Sequence, residues 1–178
     1  MYQGNYLIER LGAASEGSRN RLFLRNHQTG EEVTYQAFFA NAERMAKVLV
    51  AIGLEPGDRL AVQAPKTIAM LELYFATVLA GGVFLPLNTA YTASEITYFL
   101  TDAEPRIFVC DPNCEDELSA VAKDAGVAEV LTISADEGGS LPERRDAAAP
   151  GFTPVPRGPD DLAAILYTSG TTGRSKGA

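Results

Sequence analysis

Helical periodicity and short apolar runs alternate along this chain, and that alternation limits its fold more than any other feature. From Tyr35 the apolar residues Phe38, Ala42, Met45, Ala46 and Leu49 fall at helical spacing, and Gly53 closes the run. "RLAVQA" reads as a strand, "IAMLELYFATVLAGG" as a buried helix ending at Gly81 and Gly82, and "VFLPL" as a short buried strand. Thr92 and Glu95 predict a capping box, in which the hydroxyl accepts from the third helical N–H while the carboxylate reaches back. Ile96, Phe99 and Leu100 then form the apolar stripe of that helix. "RIFVC", "EDELSAVAKDAG" and "AEVLTI" continue as strand, helix and strand. Such alternation predicts parallel pairing, right-handed crossovers and an α/β layered fold. "RLFLRN" and "EEVTY", either side of "HQTG", depart from it and read as a hairpin.

These elements divide the 178 residues into three parts. Residues 1–133 form an α/β subdomain. Residues 134–160, "SADEGGSLPERRDAAAPGFTPVPRGPD", lose the rhythm to Gly, Pro, Ala and charge, and read as an irregular surface connection. In residues 161–178, "DLAAILY" reads as one last buried strand that delivers the chain into "TSGTTGRSKG". There is no internal repeat.

Charge narrows the possible partners. The net charge of −8 and pI near 4.7 argue against nucleic acid, which calls for a basic face. They leave small anions open, because N–H groups and one lysine bind phosphate inside an acidic protein. No apolar run reaches bilayer length, and "MYQGNYLIERLG" lacks the order of a signal peptide, so the cytoplasm is the expected location. Cys110 and Cys114 are spaced C-x3-C, far from the single histidine, His27, so they read as reduced thiols near a strand end rather than a zinc site. Tyr91 and Tyr98 read as core or rim residues, the "LAGG" glycines and Pro86 as packing positions, and the acidic helix as a solvated face.

The loop after "DLAAILY" carries the chemistry. Glycine lets backbone N–H groups turn toward an anion, hydroxyls add neutral donors, and a lysine supplies a point charge for outer phosphates. Gly170, Gly173 and Gly177 suit the first role, Thr168, Ser169, Thr171 and Thr172 the second, and Lys176 the third. The stretch is not a Walker A loop: Ser175 precedes Lys176 where that motif has glycine, and Gly177 follows where it has the metal-binding Ser or Thr.

"YTSGTTGRSKG" resembles instead the phosphate loop of the adenylate-forming enzymes, a family of acyl-CoA synthetases, peptide-synthetase adenylation domains and luciferases, with the pattern [YF]-T-S-G-[ST]-T-G-x-P-K-G. One fixed position departs: Ser175 stands where proline is usual, which removes rigidity but no donor. "VLAGGVFLPLNTAYTASEITYFLTDAEPRIFV" and "TYQAFFANAERMAKVLVAIGLEPGDRLAVQAP" resemble upstream segments of the same family, so the likeness runs in order along nearly the whole chain. "LPLNTAYT" and "AAILYTSGTTGRSKGA" are most similar to malonyl-CoA synthetases.

The resemblance implies an incomplete, layered parallel-sheet N-terminal subdomain and a two-step reaction. A small carboxylic acid attacks the α-phosphate of ATP with Mg²⁺, giving acyl-adenylate and pyrophosphate. Coenzyme A then takes the acyl group and AMP leaves. It implies Thr168, Ser169, Gly170, Thr171, Thr172, Gly173, Arg174, Ser175 and Lys176 as ATP phosphate-binding residues, with Thr168 also a Mg²⁺ ligand. No catalytic residue is assigned here. The adenine, acyl and coenzyme A sites and the catalytic lysine belong to the remainder of the full-length enzyme, without which the chain is expected to be inactive. The return strand of the loop is expected beyond Ala178, leaving 168–178 an untethered end. Two alternatives stand beside this: an adenylating enzyme with a carrier-protein acceptor, and a non-catalytic truncated module.

Overall fold

The computed structural model describes residues 4–168 and 176–178. The chain starts with α1 (Tyr6–Ser15) and an antiparallel hairpin of β1 (Leu22–Arg25) and β2 (Glu32–Thr34). The alternation then runs as α2 (Tyr35–Ala51), β3 (Arg59–Gln63), α3 (Ile68–Leu79), β4 (Val83–Pro86), α4 (Ala93–Ala103), β5 (Ile107–Cys110), α5 (Glu115–Asp124), β6 (Glu129–Thr132) and α6 (Ser140–Ala147). Two-residue strands β7 (Tyr167–Thr168) and β8 (Lys176–Gly177) follow. The expected hairpin, helices and parallel strands are thus present. No described helix is long and apolar enough to cross a membrane.

The central sheet has the order β4-β3-β5-β6, all parallel, with Leu60 opposite Phe84 on one side and Ile107 on the other. Strand residues alternate between two faces, and each face is covered. Leu60, Val62, Ile107, Val109 and Leu131 join the core built with α2, α3 and α6. Ala61, Phe108 and Cys110 join a second core with Ile96, Phe99 and Leu100 of α4 and Leu118 and Ala122 of α5. Burial on both faces is why these strands read as continuous apolar runs. Each large side chain so buried contributes roughly 1.5–3 kcal/mol of transfer free energy.

Caps set the helix starts. The side chains of Thr34, Thr67 and Thr92 accept from Ala37, Met70 and Glu95 N–H groups, and the Thr92–Glu95 capping box is complete. The start of α3 also receives the Glu137 carboxylate, whose oxygens accept from the N–H groups of Ile68 at 2.9 Å and Ala69 at 2.8 Å. The glycines after α3 are packing positions, as expected: a Cβ on Gly81 (φ +79) would meet Val155 Cγ1 at 2.9 Å.

Two helices lie outside the sequence expectation. α1 is held by Asn5, whose buried amide donates to the carbonyls of Val78 at 2.9 Å and Val155 at 3.1 Å while its oxygen caps Ile8. Residues 134–160 are not uniformly irregular, because they contain α6. This helix docks through Leu141, fully buried, and through Arg145, whose guanidinium pairs with Glu72 of α3. Glu72 is 1% exposed and also accepts from Asn41 of α2 at 2.8 Å, so one buried carboxylate ties three helices together. Burial pushes its carboxyl above the ordinary range, against the opposing pull of Arg145 and Asn41.

Candidate phosphate-binding site

The candidate site hangs from the open edge of the sheet. Past the turn at Asp161, the chain runs beside β4: Phe84 N–H donates to the Ala163 carbonyl at 3.0 Å and Ile165 N–H to the Phe84 carbonyl at 2.9 Å. This is a single parallel bridge, Phe84 to Ala164, rather than the fully buried strand that "DLAAILY" suggests. Leu162 is 62% and Leu166 55% exposed. Ile165 and Tyr167 turn the other way and settle on the second core.

β7 and β8 then pair antiparallel, with Tyr167 opposite Gly177 and Thr168 opposite Lys176. Leu166 and Ala178 exchange backbone hydrogen bonds of 2.9 and 3.0 Å. The return strand therefore lies within the chain, not beyond Ala178, and the expectation of an untethered end is corrected: both ends of the loop are fixed by a hairpin ladder. Thr168 and Lys176 stand opposite each other at its mouth, both exposed. The other phosphate-loop candidates, Ser169, Gly170, Thr171, Thr172, Gly173, Arg174 and Ser175, lie outside the described residues. Gly177 takes a packing role: a Cβ there would meet Ile165 Cγ2 at 2.9 Å.

Tyr167 is the root of this hairpin. Its ring meets Phe99 of α4 edge-on, with centroids 4.7 Å apart, and Phe99 is in turn flanked by Tyr91 at 4.8 Å and Tyr98 at 5.3 Å. Tyr91 and Tyr98 are thus packing residues, as expected. The Tyr167 hydroxyl donates to Asp102 near the end of α4. Burial, then the Asp102 carboxylate, push the phenol well above its ordinary value, so it remains a donor at neutral pH. Neither Phe99 nor Asp102 stood out in the sequence as part of a site; their only signal is a helix stripe and a charge one turn beyond it.

Elsewhere the chemistry is sparse. A groove of about 340 Å³ between α1 and the start of α2, lined by Arg19, Tyr35 and Phe39 among others, includes no residue of 161–178. Groove and motif therefore lie apart. Cys110 is buried and Cys114 exposed, both as free thiols, and burial, helped by Glu115, pushes the Cys110 thiol up to about 12. Among the described residues no group of three His, Cys, Asp or Glu side chains could hold a metal ion.

A parallel sheet with helices on both faces and a glycine- and hydroxyl-rich hairpin at its edge defines the N-terminal domain of an adenylate-forming enzyme. The crystal structure of ATP-bound MatB from Rhodopseudomonas palustris shares this fold with a TM-score of 0.91 at 49% identity, over 99% of this chain and 34% of MatB. The family model described as AMP-binding enzyme matches residues 12–178, and the chain belongs to that family. The long-chain-fatty-acid–CoA ligase FadD13 of Mycobacterium tuberculosis (strain ATCC 25618 / H37Rv) is 34% identical over 151 residues, 84% of this chain and 29% of that ligase. The feruloyl-CoA synthase of an Amycolatopsis species is 35% identical over 149 residues, 84% of this chain and 28% of that enzyme. The chain thus spans about a third of the length of the relatives it matches.

Proposed function

We propose that this chain is the N-terminal part of an ATP-dependent, AMP-forming acyl-CoA ligase whose acid is malonate, and that its hairpin holds the β- and γ-phosphates of ATP. The observation that carries the proposal is the run from Thr168 to Lys176: phosphate-loop residues in family order, mounted on a hairpin whose two mouth residues are a hydroxyl and a lysine. The difficulty of the first half-reaction is charge, since a carboxylate must approach a polyanionic nucleotide. Donors fixed before the reaction lower that barrier because they need no reorganisation while it proceeds. Lys176 supplies a cation for the outer phosphates, and the loop hydroxyls and N–H groups take the remaining oxygens. The carboxylate oxygen then bonds to the α-phosphorus as pyrophosphate departs, and the coenzyme A thiol displaces AMP from the acyl carbon.

Magnesium, carried in on the nucleotide, would neutralise phosphate charge. The chain's contribution to it is the Thr168 hydroxyl, a donor set that suits an ion held chiefly by phosphates and water rather than by a protein cage. The malonate assignment is supported by the resemblance of "LPLNTAYT" and "AAILYTSGTTGRSKGA" to malonyl-CoA synthetases. The full-length protein, assayed for AMP release with coenzyme A and malonate, acetate or a long-chain fatty acid, tests it. A site built to pair a second carboxylate leaves that partner unsatisfied with a monoacid. Malonate is expected to exceed the others at least 100-fold; comparable rates with acetate would remove malonate and leave the ligase reading standing.

A further inference from the structure

The hairpin that carries the loop has little backbone to hold it. Its strands are two residues each, and the segment leading into it touches β4 at one bridge. Its lateral anchors are the Ile165 and Tyr167 side chains on the second core, and Tyr167 alone of the two adds a polar tether, to Asp102 of α4. Phe99, 3% exposed, is wedged between Tyr91, Tyr98 and Tyr167. The last carbonyls of α4 are gripped by Arg59 of β3, whose guanidinium donates to Ala103 at 2.7 Å and Glu104 at 2.8 Å.

Asp102 is out of place by the ordinary rules. It puts a carboxylate in the last turn of a helix, where the dipole disfavours negative charge. Its gain is the Tyr167 hydroxyl. A local rule broken with one specific compensation marks a residue placed for function. We propose that Asp102 is a positioning residue for nucleotide binding: it acts through the Tyr167 hydroxyl, over the Phe99 ring, to fix where the phosphate loop leaves the sheet. This rests on the reading that the loop binds the phosphates of ATP. The family pattern allows Phe in place of Tyr167; such a chain would keep the ring seat and lose the hydroxyl tether.

The test uses the full-length enzyme and steady-state kinetics with ATP and the acid varied separately. Asp102→Ala and Tyr167→Phe are each expected to raise KM for ATP roughly 3- to 10-fold, the range of one polar contact, with KM for the acid and Tm unchanged. The double variant should be no worse than either single one, because both remove the same contact. Asp102→Asn keeps an acceptor oxygen and should restore most of the ATP affinity. An unchanged KM for ATP in Asp102→Ala, or additive losses in the double variant, overturns the proposal. Lys176→Ala separates the two levels. If it leaves ATP–pyrophosphate exchange intact, the phosphate-loop reading fails; if it abolishes exchange while Asp102→Ala has no effect, only the role of Asp102 fails.

Discussion

Arg145→Met should expose how much the buried carboxylate of Glu72 depends on its partner. In the variant Glu72 keeps, among the described residues, only the Asn41 amide to offset its charge. It can stay ionised, at the roughly 3–5 kcal/mol that an orphaned buried charge costs, or it can take a proton. The proton sets the ceiling: from an ordinary pKa near ~4.3, neutralisation costs about 4 kcal/mol at pH 7 and about 1 kcal/mol at pH 5. The sign follows from linkage. In the wild-type chain burial already holds this carboxyl above its ordinary value. A carboxyl raised in the folded state binds its proton more tightly there than in the unfolded state. Its contribution to stability is therefore full below the ordinary carboxylate range and is lost as pH rises through the folded value. Removing Arg145 raises that value further, so the deficit of the variant grows with pH. Urea unfolding followed by circular dichroism at pH 5 and pH 7 should show losses of about 1 and about 3–4 kcal/mol, the range set by these two limits. Glu72→Gln combined with Arg145→Met should recover most of the loss at pH 7, since an amide carries no charge to strand. Equal losses at both pH values, or a double variant no better than Arg145→Met, would refute the reasoning.

Gly139→Ala should cost about 3 kcal/mol in the same assay, because φ is +113° and the new Cβ would lie 2.5 Å from the Thr132 carbonyl oxygen, a backbone atom that no rotamer change can move aside; a loss under 1 kcal/mol would contradict that geometry. A thiol-specific disulfide reagent at pH 8 should modify Cys114 rapidly and Cys110 only after denaturant is added, given the burial of Cys110 and its raised pKa; two fast-reacting thiols in the native chain would count against the second core. Calorimetric titration of the 178-residue chain with Mg-ATP should show no micromolar binding, because the family resemblance places the adenine site in the remainder of the full-length enzyme; micromolar affinity would make this chain a nucleotide module in its own right.

What the sequence disclosed, and what it hid, follows from the range of each signal. The strands β3 to β6 and the helices α2 to α5 are written in local periodicity, and the Thr92–Glu95 box is read within four residues. α6 was hidden because "SLPERRDA" has no apolar stripe, only Leu141 and a proline, and its place is set by a salt bridge to a residue 73 positions earlier. The lone Glu72 inside "IAMLELYF" was visible, but its partner was not. α1 is similarly fixed by Asn5 reaching Val78 and Val155. At the candidate site the motif was legible in full from its residue order, whereas its mounting was not. The antiparallel return at Lys176–Gly177, the clearance that Gly177 gives Ile165, and the anchorage of Tyr167 on Phe99 and Asp102 all depend on contacts between distant segments.

The central claim, that the hairpin from Thr168 to Lys176 grips the phosphates of ATP during acid activation, is tested most directly by acid-dependent ATP–pyrophosphate exchange in the full-length enzyme. Exchange isolates the first half-reaction from coenzyme A transfer. Wild type should exchange label only when the acid is present, and Lys176→Ala should slow that exchange by roughly 10- to 100-fold, the loss of one charge-assisted phosphate contact. Exchange at the wild-type rate in Lys176→Ala would take the lysine out of the site and contradict the account.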